Sequence, residues 1–221
     1  MSIDKQSIET LVGTKISNID LYQKAFTHKS ALKENEGLAG SFETLEFIGD
    51  SVLGFVITKF LYDKYETRQE GFLTKARTKL VRGETLADIA SKLELHKWIR
   101  MDEKGMRNHW NYNPKILEDV FEAIVGAIYM DLGLLHAKEF ILRIYNNPEY
   151  INLQSIMIDD NFKDHLMRYC QSNSLELPIY NIHGHDNGIF CIHVFVGGVC
   201  LGIGSAKNKK QAEQNAARAF F

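Results

Sequence analysis

The chain has 221 residues, of which 45% are hydrophobic, and its 26 basic and 28 acidic side chains leave a net charge of −2. This length allows one large domain or two small ones. No stretch approaches the roughly 18 apolar residues of a membrane span, and the N-terminus lacks the basic start and apolar core of a secretory signal. We therefore expect no membrane association and a soluble intracellular protein, with the cytoplasm as its compartment. The small net charge does not exclude a nucleic-acid-binding protein, because carboxylates at a metal site would offset a basic surface elsewhere.

Apolar residues recur at three- and four-residue intervals up to about Tyr145, and Pro114 is the only proline in that region. This period predicts an all-helical first domain. The predicted helices cover residues 4–11, 20–26, 40–64, 71–92, 114–132 and 134–145. The periodicity ends near Pro148, so we place a linker over residues 148–158, between a first domain of residues 1–147 and a second domain of residues 159–221.

The pattern changes in the second domain. Residues 162–172 have the period of a helix, and three short runs rich in β-branched and aromatic residues predict strands. The strands are predicted at 179–183, 190–196 and 199–205, with Gly197 and Gly198 as a two-residue hairpin turn and a loop over the GHDNGIF sequence. An alanine-rich helix is predicted from Lys209 to Phe221. The predicted fold class is an all-α domain followed by a small α+β domain of order α-β-β-β-α.

The three cysteines, Cys170, Cys191 and Cys200, lack the Cys-x-x-Cys spacing of a metal site. An odd count also argues against a secreted disulfide framework. We interpret them as reduced core residues of an intracellular protein.

Two acidic clusters lie within apolar helical sequence: Glu43, Glu46 and Asp50 in the first, and Asp119 and Glu122 in the second. On a helix the first three fall at 0°, roughly 300° and roughly 340°, so they share one narrow stripe, and the second pair also shares a face. Carboxylates are seldom placed among apolar side chains without a partner. If the two stripes face each other, the converging charges suit a hard divalent cation, which predicts Mg²⁺-assisted phosphodiester hydrolysis.

Helical rise divides these acids into two groups. Glu43 and Asp50 are about 10 Å apart along the axis, too far for one ion to bridge easily. We therefore predict four metal ligands, Glu46, Asp50, Asp119 and Glu122, and place Glu43 at the rim, facing substrate, a second metal or a partner subunit. The alternative is an ordinary solvated helix face, which the nearly continuous apolar flanks disfavour.

Several motifs of the sequence, including both acidic clusters, resemble those of the ribonuclease III family. The run ETLEFIGDSVL is similar to the signature helix of that family, and LEDVFEAIVGAIYMD to its second acidic helix. FTHKS at residues 26–30 and GFLTKARTKLVRGETLADIA at residues 71–90 also match. The C-terminal part resembles the double-stranded-RNA-binding domain that accompanies this nuclease, so the resemblance covers nearly the whole chain.

The resemblance implies a Mg²⁺-dependent endoribonuclease, with Mn²⁺ as a substitute, that cleaves double-stranded RNA to 5′-phosphate and 3′-hydroxyl ends with a two-nucleotide 3′ overhang. It also implies a homodimer, because each chain holds one acidic site and a twofold axis supplies the second. Phe47 would then insert into a socket on the partner; the alternative is a plain core phenylalanine. Lys115 resembles a lysine of dicer-type nuclease domains that would hold a phosphate oxygen; the alternative is a solvated lysine at a helix start. His28 is interpreted as structural.

The implied RNA-binding residues are less regular. Lys207, Lys209 and Lys210 precede or begin the last helix, where backbone N–H groups and the helix dipole also attract phosphate. They resemble the phosphate clamp of this domain, although a solvated basic helix start has the same appearance. Such a domain recognises duplex RNA by shape across the minor groove.

Two segments depart from the family pattern. The first helix carries Met167 and Arg168 where a glutamine and a glutamate are usual, so His165 and Arg168 are the candidates for RNA contact, or else exposed helix residues. The GHDNGIF segment lacks the usual proline, which leaves His183 or His185, with His185 preferred.

Two other functions compete with the nuclease. A non-catalytic protein that sequesters double-stranded RNA would be expected to have lost acids, whereas all four predicted ligands are present. A metal-dependent nucleotide phosphohydrolase would explain the acids but not the C-terminal domain.

Overall fold

The computed structural model describes residues 4–33, 40–156 and 161–221. The chain divides into two compact units, residues 1–157 and 158–221. Residues 157–160, where the predicted linker ends and the predicted second domain begins, lie outside the described residues. The predicted fold class is confirmed: the first unit is helical, and the second has the order helix, three strands, helix.

The first unit contains nine α-helices among its described residues. They are α1 (Lys5–Val12), α2 (Ile19–Ala25), α3 (Glu43–Lys64), α4 (Glu70–Val81), α5 (Gly83–Lys92), α6 (Glu103–Arg107), α7 (Pro114–Leu132), α8 (Leu134–Tyr145) and α9 (Leu153–Ile156). Short 3₁₀ turns cover Lys29–Lys33, Leu95–Lys97 and Trp110–Tyr112. None of the helices in the described ranges combines the length and apolar character needed to cross a lipid bilayer.

The prediction of one helix over residues 71–92 is wrong. Arg82 has an extended backbone, with φ −71° and ψ 149°, and it separates α4 from α5. Gly83 follows directly, and glycine favours a break because it is the weakest helix former after proline. The break lets both Leu80 on α4 and Leu86 on α5 reach the core, where each is fully buried. A second difference is α9, which lies inside the segment predicted as linker.

The second unit packs two helices, α10 (Phe162–Ser172) and α11 (Lys209–Arg218), against an antiparallel sheet of order β1-β2-β3. The strands are β1 (Ile179–Asp186), β2 (Ile189–Val196) and β3 (Val199–Ala206). Leu166 and Cys170 of α10 bury themselves with Ile192 and Val194 of β2, which alternate along the strand as a half-buried strand requires.

The loop predicted over GHDNGIF is wrong. β1 continues to Asp186 and β2 begins at Ile189, so only Asn187 and Gly188 form the turn, and both have positive φ, 49° and 75°. An Asn-Gly pair with two positive φ values makes the tight turn that fits the twist of a hairpin. The strand signal was weak because Gly184 and two histidines interrupt the apolar alternation.

Helices α3 and α7 form the centre of the first unit, and two glycines let their backbones touch. A Cβ placed on Gly49 of α3 would lie 2.7 Å from the carbonyl carbon of Glu122 on α7. A Cβ on Gly126 of α7 would lie 2.9 Å from the carbonyl carbon of Leu45 on α3. Real Cβ atoms do not come so close to a neighbouring backbone, so no larger residue fits at either position without separating the helices.

We therefore expect Gly126→Ala to lower the free energy of unfolding by about 3 kcal/mol, because overpacking must push α3 and α7 apart. The control is Gly71→Ala in α4, where a Cβ meets nothing within 4 Å. There the helix propensity of alanine should stabilise the fold by up to about 1 kcal/mol. Urea unfolding of both variants measures the difference, and equal stabilities would contradict the close packing.

Candidate metal centre and nucleic-acid interface

Three carboxylates converge where α3 meets α7. Glu46 of α3 and Asp119 and Glu122 of α7 each offer an oxygen, and these oxygens all lie within 4.8 Å of one another. We call these three residues the acid trio. The arrangement follows from the helix spacing, because Asp119 and Glu122 are three residues apart on α7 and Glu46 lies on the turn before Gly49.

The start of α7 is fixed by local sequence signals. The Asn113 side chain accepts a hydrogen bond from the Lys115 backbone N–H at 2.9 Å, and Pro114 occupies the first helical position. Both are favoured at a helix N-terminus. The helix ends at Gly133, whose φ of 84° suits glycine. Asp119 therefore lies about one and a half turns into the helix, and Glu122 lies just over two turns in.

Burial and neighbouring acids raise the pKa of two acids of the trio, Glu122 and Glu46. Glu122 is only 6% exposed, and burial, followed by the charges of Asp50, Glu118 and Glu46, raises its pKa to about 8. Burial, followed by the charge of Asp119, also raises the pKa of Glu46. Without a cation, the site therefore holds like charges that repel each other and favour protonation.

Asp50, the fourth predicted ligand, is not part of the trio. It is exposed on α3, one turn beyond Glu46. It is nevertheless close, because its charge is the largest electrostatic cause of the raised pKa of Glu122 after burial. The structure thus brings three of the predicted ligands together. It leaves the fourth, Asp50, at the solvent-exposed side of the site, which we call the open side.

Glu43 lies apart from the trio, at the exposed start of α3. Its carboxylate accepts hydrogen bonds from Lys29 Nζ at 3.1 Å and from Ser41 Oγ at 3.2 Å. These bonds, led by that from Lys29, lower its pKa below the usual value. A pre-paired, solvated acid of this kind fits the predicted position at the rim.

Lys115 contacts one of the metal-ligand candidates, Asp119, directly. Its Nζ lies 2.8 Å from Asp119 Oδ1 and 3.4 Å from Glu118 Oε2. The hydrogen bond with Asp119 is the main cause of a raised Lys115 pKa, so the ammonium form is favoured. Lys115 is therefore an ion-paired residue of the site. Its 63% exposed side chain still reaches solvent.

Glu118 is a further acid of the site that was not predicted from the sequence. Its carboxylate is 20% exposed and lies beside both Lys115 and the Glu122 side chain, whose pKa it helps to raise. The signal was present in the sequence, because Glu118 is adjacent to Asp119 and three residues after Lys115, a spacing at which helical side chains meet.

The donor atoms of the trio suit a hard divalent cation. All are carboxylate oxygens, the ligands that Mg²⁺, Mn²⁺ and Ca²⁺ prefer. Burial and nearby acids raise the pKa of Glu122, and the positive charge of Lys115 opposes this shift only in part. His28 is not among these donors: its Nδ1 lies 2.9 Å from Ser30 Oγ, and burial lowers its pKa, as a structural residue requires.

The second unit presents the three predicted clamp lysines to solvent. Lys207 precedes α11, and Lys209 and Lys210 begin it. Between them Asn208 caps the helix by accepting a hydrogen bond from the Gln211 N–H at 2.7 Å. Exposed ammonium groups therefore surround a helix N-terminus, where unpaired N–H groups favour anions.

The other predicted RNA-binding residues are more constrained. The exposed Arg168 pairs through Nε with Asp164 at 3.0 Å. His165 is half-buried between the rings of Phe162 and Phe221, so it is not the freely exposed residue of the alternative interpretation. His185 is exposed on β1, with its ring 4.2 Å from that of Phe190, and thus not in a loop. His183 stacks on His193 at 4.2 Å.

Phe47 is 78% exposed, so the alternative of a plain core phenylalanine is wrong. Phe55 and Tyr62 on the same helix are also exposed, by 60% and 63%. At about 100° per residue these three side chains fall within one stripe of about 80°. Helix α3 thus carries an apolar face that the described residues of this chain do not cover.

The raised pKa values predict how stability depends on pH without divalent cations. An unfolded Glu122 ionises near 4.5, whereas the folded one ionises near 8. Between these values the folded chain retains a proton that the unfolded chain has lost, so stability should fall as pH rises from about 5 to 8, by up to about 1.4 kcal/mol per pH unit. Melting temperatures in EDTA measure this, and Glu122→Gln should flatten the decline. The control, Glu139→Gln at an exposed position on α8, should keep it; equal slopes in both variants would contradict the assignment.

Comparisons with known proteins agree with both units. A family described as "Ribonuclease-III-like" matches residues 18–148, and the double-stranded RNA binding motif matches residues 162–221. Protein A464R of Paramecium bursaria Chlorella virus 1 is 41% identical over 217 residues, which cover 97% of this chain and 77% of that protein. Ribonuclease 3 of Azobacteroides pseudotrichonymphae is 34% identical over 214 residues, 94% of this chain and 80% of that protein.

A solved structure supports the fold of the first unit. The nuclease domain of ribonuclease III from Campylobacter jejuni has a TM-score of 0.60 and 34% identity, and the match covers 66% of this chain and 98% of that domain. The predicted family is thereby confirmed. The chain belongs to the ribonuclease III family of double-stranded-RNA-specific endoribonucleases and carries its nuclease domain and a double-stranded-RNA-binding domain.

Proposed function

We propose that this protein hydrolyses double-stranded RNA at the acid trio with the help of Mg²⁺, or of Mn²⁺ in its place, and acts as a homodimer. The observation that carries the proposal is the convergence of Glu46, Asp119 and Glu122 within 4.8 Å, in a chain that also contains a double-stranded RNA binding motif. The alternative of a non-catalytic RNA-sequestering protein gives no reason for assembling carboxylates that repel one another.

The protein's own residues divide the work at this site. Glu46, Asp119 and Glu122 would hold the metal, and Asp50 lies at the open side as a further ligand. When bound, divalent cations supply a Lewis acid that lowers the pKa of a water and stabilises the departing 3′ oxygen. Lys115 is placed to pair with a phosphate oxygen, and Glu43 faces the approach from the rim.

Metal binding requires Glu122 to be ionised. Because its pKa is about 8 without a cation, occupation of the site must release a proton near neutral pH. The affinity for a divalent cation should therefore increase with pH up to about 8. The buried setting of Glu122 excludes water from one side of the site, which strengthens its attraction for a cation.

The second unit would deliver the duplex. Lys207, Lys209 and Lys210 contribute charge at the α11 N-terminus, which suits phosphates along a backbone rather than particular bases. Arg168, His165 and His185 are the further proposed contacts, with Arg168 exchanging Asp164 for a phosphate. Because these residues would contact the RNA backbone, we expect the unit to recognise the shape of the duplex rather than its base sequence.

Cleavage of both strands requires two acid trios, and the described part of each chain has one. The exposed apolar stripe of Phe47, Phe55 and Tyr62 on α3 provides a surface for a second copy, with Phe47 entering a pocket of the partner. A Campylobacter jejuni relative has a region involved in dimer formation in its nuclease domain. Sedimentation that shows only monomer at micromolar concentration would contradict this assembly.

We also propose an intracellular location. All three cysteines are free, but Cys200 is exposed, so the prediction that all three are core residues is wrong. An exposed free thiol fits a reducing compartment.

Replacement of trio residues tests the catalytic proposal. We expect Asp119→Asn and Glu122→Gln each to reduce cleavage of a long RNA duplex by about 10³-fold, equivalent to about 4 kcal/mol of lost transition-state stabilisation. Glu139→Gln should cleave normally. End mapping of the wild-type products should give 5′-phosphates, 3′-hydroxyls and two-nucleotide 3′ overhangs. Cleavage that persists in EDTA, or full activity of both trio variants, would overturn the mechanism.

The RNA-binding proposal has a separate test. Replacing Lys209 and Lys210 with alanine should weaken binding to duplex RNA by about tenfold. The slope of log affinity against log salt concentration should become shallower by about two, because two phosphate contacts are lost. Binding is measured by fluorescence anisotropy from about 50 to 300 mM salt. Lys5→Ala on α1 is the control. An unchanged salt slope would contradict the clamp.

A further inference from the structure

Lys115 lies between two carboxylates that differ in one respect: Asp119 belongs to the acid trio, and Glu118 does not. The ammonium is 2.8 Å from Asp119 Oδ1 and 3.4 Å from Glu118 Oε2. It therefore pairs mainly with an oxygen donor of the metal site. A cation entering the trio would meet this ammonium beside Asp119, and the two positive charges would repel each other.

Glu118 is held in place from its other side. A Cβ on Gly83 would lie 2.7 Å from Glu118 Cδ, so the carboxylate rests directly on the backbone at the first residue of α5. The first turn of this ten-residue helix leaves backbone N–H groups without helical partners, and its dipole favours a negative charge there. The N-terminus of α5, as well as Lys115, therefore favours the Glu118 carboxylate in this place.

The lysine side chain is able to move between the two acids. It is 63% exposed, and a flexible four-carbon stem carries its charge. Both carboxylates already lie within 4 Å of Nζ, so a small rotation exchanges one main partner for the other.

We propose that Lys115 is a displaceable counter-ion of the metal site and that Glu118 is a positioning residue, which receives the Lys115 ammonium when a divalent cation takes Asp119. Without a cation, Lys115 offsets the repulsion among the acids. With a cation bound, Glu118 keeps the lysine paired, so metal entry does not leave an unpaired ammonium beside it. The inference rests on the proposed metal dependence and adds to it a role for two residues outside the trio.

A simpler role for Glu118 makes a different prediction. If Glu118 acted only as one more negative charge near the site, its removal would weaken cation binding equally whether or not Lys115 is present. If Glu118 acts by receiving Lys115, its removal should matter only when the lysine is there. A double-mutant cycle measures this difference as a coupling between the two positions.

The experiment titrates Mn²⁺ into RNA-free protein at fixed ionic strength and measures free Mn²⁺ by electron paramagnetic resonance. The proteins are wild type, Glu118→Gln, Lys115→Met and the double variant, with Glu139→Gln as a control that should bind as wild type does. We expect Glu118→Gln to weaken Mn²⁺ binding by about fivefold on its own and by less than about twofold in the Lys115→Met background. Equal weakening in both backgrounds would overturn the proposal.

A second variant moves the carboxylate without changing any charge. In Gly83→Ala the new Cβ must displace the end of the Glu118 side chain, and the backbone at position 83 is compatible with alanine. We expect Mn²⁺ binding to weaken as it does in Glu118→Gln, while circular dichroism shows an intact helical fold. Wild-type affinity in folded Gly83→Ala would overturn the proposal.

The outcomes separate this inference from the proposed function. If Mg²⁺-dependent RNA cleavage depends on the trio but the cycle shows no coupling, the inference alone fails. If none of the proteins binds Mn²⁺, both the proposed metal dependence and the inference fail.

Discussion

The contact of the α3 and α7 backbones at Gly49 and Gly126 is the constraint on which the site depends. Each glycine faces a carbonyl group of the opposite helix, that of Glu122 in one case and that of Leu45 in the other. Because the helices touch here, acids one or two turns before these glycines meet across the interface. The buried apolar side chains on both helices supply the free energy that holds like charges together. Packing and chemistry are thus joined at Glu122, whose carbonyl contacts Gly49 and whose carboxylate belongs to the trio.

The charge balance of the site extends beyond the trio. Burial and neighbouring acids raise the pKa of Glu122 to about 8, while Lys115 places an ammonium beside Asp119. The break between α4 and α5 then has a consequence at the site, because it places Gly83 and a helix N-terminus against Glu118. A backbone feature outside the acidic helices therefore bears on the electrostatics of the metal ligands. In the second unit the charges are positive instead of negative. Lys209 and Lys210 lie at a helix N-terminus that attracts anions.

Helical spacing was sufficient to predict which acids share a face, and the change of period was sufficient to predict the order of elements in the second unit. Other features depend on contacts distant in sequence. Gly83 is a local signal for the break at Arg82, but no local pattern encodes the packing of Glu118 on Gly83, which is 35 positions away. Asp50 has the spacing of a ligand yet remains exposed, because burial depends on which helix covers that turn. The exposure of Phe47 could not be predicted from the sequence either. An apolar residue in an apolar run has the same sequence pattern in a core and in an interface.

If the α3–α7 contact creates a binding site for divalent cations from Glu46, Asp119 and Glu122, crystals grown with Mn²⁺ should show it by anomalous diffraction. We expect an anomalous peak within about 2.5 Å of carboxylate oxygens from all three residues. Mn²⁺ bound only at other residues, in a protein that cleaves duplex RNA in the same solution, would contradict it.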